Sequence, residues 1–385
     1  MIDTLEEVYP DIFEIDRNLH QLVKKIELLN YVNPINIEQE RRSFFASRYS
    51  VNPSFHYRKI DFNPQKLQKN LYSQEIDKIK DKEAYTFYKE LIDEYSGLIE
   101  CVDTIGFGKK FYFNSLRSFG TPTQKDVENA RFILHFTDDE LDGEMIPVFS
   151  VDEAEAYFKE FTKRYDFKFN IKISTKLSAA AMVLNNTQTL LLKKNFLFSA
   201  NQLKVLANHE IGVHLVTTFN GINQPLKVFY NGFPNNVETQ EGVAVLSEYM
   251  SNCLTLYRLK ELAFRVIAVD SLQKGFDFCD TFDLLHNLYK LNRDEAYSVS
   301  LRVHRGGGFT KDYLYLTGLK KAYNYYHSGK NLDTLLSGKV NLDYTTLIEK
   351  WQEKGLAVKN EYFNEAFESN DNSNSKLDFI LQNLK

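Results

Sequence analysis

Over the first 120 residues, apolar positions recur at three- and four-residue intervals with charges between them. The stretches are Ile15 to Leu29, Lys66 to Lys80 and Ala84 to Tyr95. This spacing gathers apolar side chains on one helical face, so the region reads as mostly helical. Gly106 to Phe119 mixes glycine with aromatics and reads as a connector. Thr121-Pro122-Thr123 marks a boundary, since proline disfavours helix at the residue before it. The pattern then changes. Arg131 to Phe136, Ile146 to Val151 and Phe167 to Ser174 read as strands, with a helix over Asp152 to Tyr165. Ala179 to Lys194 carries two apolar stretches split by Asn185-Asn186-Thr187, the signature of a hairpin. Helical spacing dominates from Ser199 to Gly355. Glu368 to Ser375 is polar and low in complexity and reads as disordered, and Leu377 to Leu384 reads as a short docking helix. Strands followed by helices predict an α+β fold. The expected division is a helical region over 1–120, a core over 121–365, and a polar tail with a short terminal helix over 366–385.

Ser199 to Asn220 carries the most chemistry. Ser199 and Gln202 have capping-box spacing. Leu203, Leu206, Ala207, Val213 and Val216 supply a buried stripe, and Asn220-Gly221 reads as the stop. This helix bears His209, Glu210 and His214. Two histidines with a glutamate after the first resemble the zinc-peptidase pattern, except that the second histidine lies five residues on instead of four. In an ideal α-helix, at ~100° per residue, the two imidazoles would point about 140° apart. A π-type bulge with i→i+5 bonding brings them together, so an irregular turn is expected over Glu210 to His214, eased by the missing side chain of Gly212.

A hydrolytic zinc site needs a third protein ligand. Asn236 to Ala244 opens a second helix, capped by Asn235 or Asn236, with Glu241 two turns in. Gly242 is expected to let this helix approach the metal helix. Glu238 and Glu248 fall on a similar face, so spacing does not choose among the three. Such a ligand set implies a water activated by zinc, with Glu210 as its general base and as the proton donor to the leaving amine.

Composition narrows the class. Lys plus Arg total 47 and Asp plus Glu 52, a net charge of −5, which argues against nucleic acid as a partner. No apolar run approaches the ~18 residues of a membrane span. Cys101, Cys253 and Cys279 form no disulfide framework, and the acidic start has no signal pattern, so a cytoplasmic setting is expected. The 30 Phe, 23 Tyr and single Trp read as core, not as a stacking platform for bases.

The segment His209-Glu210-Ile211-Gly212-Val213-His214, followed by Thr239-Gln240-Glu241-Gly242-Val243-Ala244, resembles the family named for its QEGLA motif. In bacteria that family is described as flavohaemoglobin expression-modulating. Its animal relatives are the microtubule-associated tyrosine carboxypeptidases, which trim the C-terminal tyrosine of α-tubulin. The resemblance runs from about residue 40 to residue 360, with Val243 in place of the leucine in the motif name. It implies a zincin-like metallopeptidase with Zn2+ held by His209, His214 and Glu241, and with Glu210 catalytic. It also implies carboxypeptidase action on a peptide or protein C-terminus, and the tubulin substrate is not carried over. The rival readings are a non-catalytic regulatory or binding protein that keeps the fold, and a zinc hydrolase of a non-peptide amide.

The resemblance continues through Gly307 to Asp312. Here Arg302, Arg305 and Lys311 offer positive charge for a substrate carboxylate. Gly306 to Gly308 allow a backbone to approach a ligand, and Tyr313 or Tyr315 offers a hydroxyl to an oxyanion.

Overall fold

The computed structural model describes residues 2–24, 26–137, 143–175, 177 and 179–385. It is mostly helical with one small mixed sheet, which agrees with an α+β chain. The residues pack into two units that interleave along the sequence. One comprises residues 1–20, 137–256 and 317–383, and the other 21–136, 257–316 and 384–385. No helix among the described residues is long and apolar enough to cross a membrane.

The first unit holds the sheet. Strand β1 is Asn170–Ser174, β2 is Ala181–Leu184 and β3 is Thr189–Lys193. The order is β1-β3-β2, with β3 parallel to β1 and antiparallel to β2. The expected hairpin is present, its turn formed by Asn185–Thr187. Alternation along β3 buries Leu190 and Leu192 completely. Ser150 and Glu153 form a capping box that starts the helix Val151–Phe161, so Ile146 to Val151 is not a strand. Only a single bridge, Phe149 to Phe198, remains of it. Phe167 likewise stays outside β1 and stacks on Phe219 at a ring-centroid distance of 4.3 Å.

The polar tail also differs from expectation. Glu365–Ser369 is a helix, and Asn374 caps the terminal helix Ser375–Gln382, whose Leu377, Ile380 and Leu381 are buried. Between them Asn372 bonds Asp378, and the Ser373 amide donates to Asn252. Asn and Ser cap and turn the backbone here by bonding it locally.

The second unit is built on the 22-residue helix Lys82–Asp103. Asp81 caps it, and Phe87, Tyr88, Leu91, Ile92, Tyr95 and Ile99 are buried along it. Gly106 to Phe119 is not a connector, because Lys109–Phe119 is helical with Phe111 and Phe119 on its buried face. Nor is Arg131 to Phe136 a strand. Thr123 and Asp126 form a capping box that opens the helix Gln124–His135, and Val127, Ala130 and Ile133 are buried at helical spacing. Gly306, Gly307 and Gly308 all have positive φ. A Cβ at Gly307 would meet the Gly108 backbone at 2.7 Å, and one at Gly306 would meet the Phe111 ring at 2.4 Å. The chain's own backbone and rings occupy the close approach that the sequence assigned to a ligand.

Candidate metal centre

The helix that bears His209 and His214 starts as expected. The Gln202 amide donates to Ser199 Oγ, and the Ser199 amide donates to Gln202 Oε1, each at 3.1 Å. One α-helical segment, Ala200–Leu206, leads into a nine-residue π-helix, Ala207–Leu215, and α-helix resumes over Val216–Asn223. The irregularity is wider than a single bulge. It brings the His209 and His214 rings to a centroid distance of 5.0 Å with planes at 78°.

Three glycines shape the surroundings. Asn364, itself buried, packs on Gly212 and donates to its carbonyl at 3.0 Å, where a Cβ would come within 2.7 Å of the amide nitrogen. Gly221 does not stop the helix. The helix runs to Asn223, and Gly221 is a crossing point where a Cβ would lie 2.8 Å from the Phe229 carbonyl. Gly242 corrects another expectation. Its bare Cα admits Gly318 of a different helix, Leu314–His327, where a Cβ would fall 2.2 Å from the Gly318 carbonyl carbon. The helix meets the His209–His214 helix at other positions, among them Ser247, whose hydroxyl donates to the Asn208 carbonyl at 3.2 Å.

The helix Asn236–Met250 presents three carboxylates, which differ in their surroundings. Glu238 pairs with Lys321 Nζ at 2.6 Å. Glu248, fully buried, lies 2.8 Å from His209 Nδ1. Glu241 Oε2 lies 3.6 Å from His209 Nε2 and 3.7 Å from His214 Nε2. One ligand atom from each of His209, His214 and Glu241 falls within 4.8 Å of the others. These separations suit donors sharing one ion at the ~2.0–2.2 Å of zinc–nitrogen and zinc–oxygen bonds. Glu248 at Nδ1 sets the ring so that Nε2 faces the group, as an outer carboxylate does for a metal-bound histidine.

Charge favours a cation at this point. Burial opposes the charged form of His209. The carboxylates of Glu241, Glu248 and Glu210 outweigh that and lift its pKa to about 10. Glu210, next in sequence to His209, turns toward the sheet, and its Oε2 accepts from the Val183 amide of β2 at 3.2 Å. Sequence reasoning missed this amide and had no spacing by which to find it.

The four basic and phenolic candidates lie in the second unit. Arg302 pairs with the buried Asp312, its Nη2 at 3.2 Å from Oδ1. Arg305 is buried, donates to Asn33 and covers the Phe309 ring at 5.0 Å. Lys311 Nζ sits 4.9 Å from the Tyr315 ring centroid. Tyr313 is buried, and its hydroxyl donates to the Phe119 carbonyl at 2.8 Å.

No curated protein matches the chain. A family model described as microtubule-associated tyrosine carboxypeptidase matches residues 42–385, and the chain belongs to that family.

Proposed function

We propose that the chain is a zinc-dependent peptidase with a zincin-like core that removes a residue from a peptide or protein C-terminus. The observation that carries the reading is the meeting of His209, His214 and Glu241 within 4.8 Å, beside a glutamate that none of the three ligand positions uses. The carboxypeptidase part follows the description of the family. His209 and His214 through Nε2, and Glu241 through Oε2, would hold the ion. When bound, zinc supplies Lewis acidity, which acidifies water and polarises a scissile carbonyl.

The chain's own groups do the rest. Glu248 accepts from His209 Nδ1 and fixes the tautomer that presents Nε2. The Val183 amide holds Glu210 Oε2. Oε1 of Glu210 takes the proton from the attacking water and passes it to the leaving amine. Gly212 and Asn364 brace the widened turn that makes the two imidazoles converge.

The test is a Glu210→Gln variant of the full chain, assayed by metal analysis and by mass spectrometry of peptide C-termini. The parent is expected to hold one zinc and shorten peptides, and the variant to hold zinc and lose roughly 10²–10⁴-fold in rate. A parent that binds no divalent metal, or a variant that cleaves as fast as the parent, overturns the reading.

A further inference from the structure

Glu210 depends on one backbone amide. Among the described residues, the only hydrogen bond to its carboxylate comes from Val183 of β2, at 3.2 Å. A side chain held at a single point follows whatever moves that point, so the placement of β2 sets the direction of the carboxylate. The sheet alone anchors β2 weakly. The strand has four residues, lies at the edge of the sheet and, among the described residues, pairs only with β3. The turn into β3 is strained, since Gln188 holds a left-handed φ of 43° that a non-glycine residue adopts at a cost.

Two side chains from outside the sheet fix that turn. Thr218, fully buried on the helix Val216–Asn223, places its hydroxyl 2.7 Å from the Asn185 side-chain oxygen and 2.7 Å from the His214 carbonyl. One hydroxyl thus joins the turn to the backbone of a histidine about one helical turn earlier. Tyr230 donates its hydroxyl to the Asn185 carbonyl at 3.2 Å and lies 3.4 Å from Asn186 Oδ1. That carbonyl also accepts from the Gln188 side chain at 2.8 Å, so Tyr230 is the weaker tie. Tyr230 is set in turn by Asp16, which is buried. Asp16 accepts the Lys227 and Val228 amides at 2.5 and 2.9 Å and so caps the short helix Val228–Asn231.

We propose that Thr218 is a positioning residue for Glu210, with Tyr230 as its second support. By pinning the Asn185–Thr187 turn they hold the Val183 amide, and with it the Glu210 carboxylate, in register with the His209–His214 coil. This deepens the proposed function and rests on Glu210 as the base. A base displaced by ~1 Å can lose up to about 10²-fold in rate with the ligand set untouched.

The test uses the full chain in three variants. Thr218→Val keeps the shape and loses the hydroxyl, Thr218→Ser keeps the hydroxyl, and Tyr230→Phe removes the weaker tie. Hydrogen exchange at the Val183 amide is the readout that needs no activity. It should speed up about fivefold or more in Thr218→Val, the scale of one hydrogen bond, and less in Tyr230→Phe. It should return toward the parent in Thr218→Ser, and the helix Ala200–Leu206 should stay protected throughout. In peptide cleavage Thr218→Val should lower kcat about tenfold, with KM and zinc affinity within about twofold of the parent, and Thr218→Ser should recover most of the loss. Tyr230→Phe carries the test if Thr218→Val fails to fold. The proposal is overturned if Val183 exchanges as slowly in these two variants as in the parent, if Thr218→Ser does no better than Thr218→Val, or if zinc affinity falls together with kcat. A parent that neither holds zinc nor cleaves brings down the proposed function instead, and exchange at Val183 then decides the positioning by itself.

Discussion

Around His209 and His214 the first unit gathers carboxylates from Glu210, Glu241 and Glu248. Around Asp312 the second unit gathers Arg265, Arg302 and Arg305. His209 and Glu248 in the first, and Asp312 and Arg305 in the second, are buried, where a charge is expensive unless it is paired. The acidic cluster is reached through two neighbouring helices with short motifs. The basic one is assembled from a helix around Arg265 and a segment starting at Arg302. The two clusters differ in the charges they hold together, and perturbing each should give a different readout.

The largest expected effect is on the basic side. Asp312→Ala removes the buried carboxylate that pairs with Arg302 and interacts with Arg305 and Arg265, and urea unfolding should show a loss of about 3–5 kcal/mol, as for breaking a buried pair. A loss below about 1 kcal/mol would mean that solvent already screens the cluster.

Next comes acid sensitivity in the same unit. Burial pushes His304 down to about 4, against a weaker pull from Asp277. Below pH 6.5 the unfolded chain binds a proton that the folded chain refuses. Stability from this group is therefore full above 6.5 and lost as pH falls toward 4, by up to about 3 kcal/mol. His304→Gln should flatten the stability profile over that window, and an unchanged slope would show that His304 charges freely in the folded state.

On the acidic side the readout is metal. Glu248→Gln should weaken zinc binding roughly 10–100-fold in a chelator competition while the fold persists. Unaltered affinity would remove Glu248 from any supporting role. The smallest effect belongs to the exposed pair of Lys321 and Glu238. Lys321→Ala should change stability by less than about 1 kcal/mol and leave zinc affinity untouched, which separates Glu238 from its two neighbours on the helix.

The irregular turn between His209 and His214 was legible because their five-residue interval conflicts with α-helical geometry, and the wide turn over Ala207–Leu215 resolves that conflict. The hairpin over β2 and β3 was legible from its polar turn. Periodicity left Glu238, Glu241 and Glu248 equivalent. What separates them is partners far along the chain, Lys321 for the first and the two imidazoles for the others. Arg131 to Phe136 misled because a short apolar run looks alike in strand and helix, and the deciding capping box at Thr123 lay eight residues upstream. Arg265 belongs to no local motif, and only folding sets it beside Tyr315. Gly242 was read correctly as a close-approach residue, but sequence cannot say which helix does the approaching.

The π-helical stretch has a consequence for protein engineering. Each extra residue in a wide coil shifts the angular phase of everything after it, here the helix Val216–Asn223 with Asn220, whose side chain holds the carbonyls of Leu336 and Tyr362. Excising one residue between His209 and His214 would recover the commoner four-residue interval. The same excision would swing Asn220 by ~100° away from both carbonyls. The unusual interval is thus locked in by distant loops that depend on its rotation, and shortening it requires rebuilding them as well.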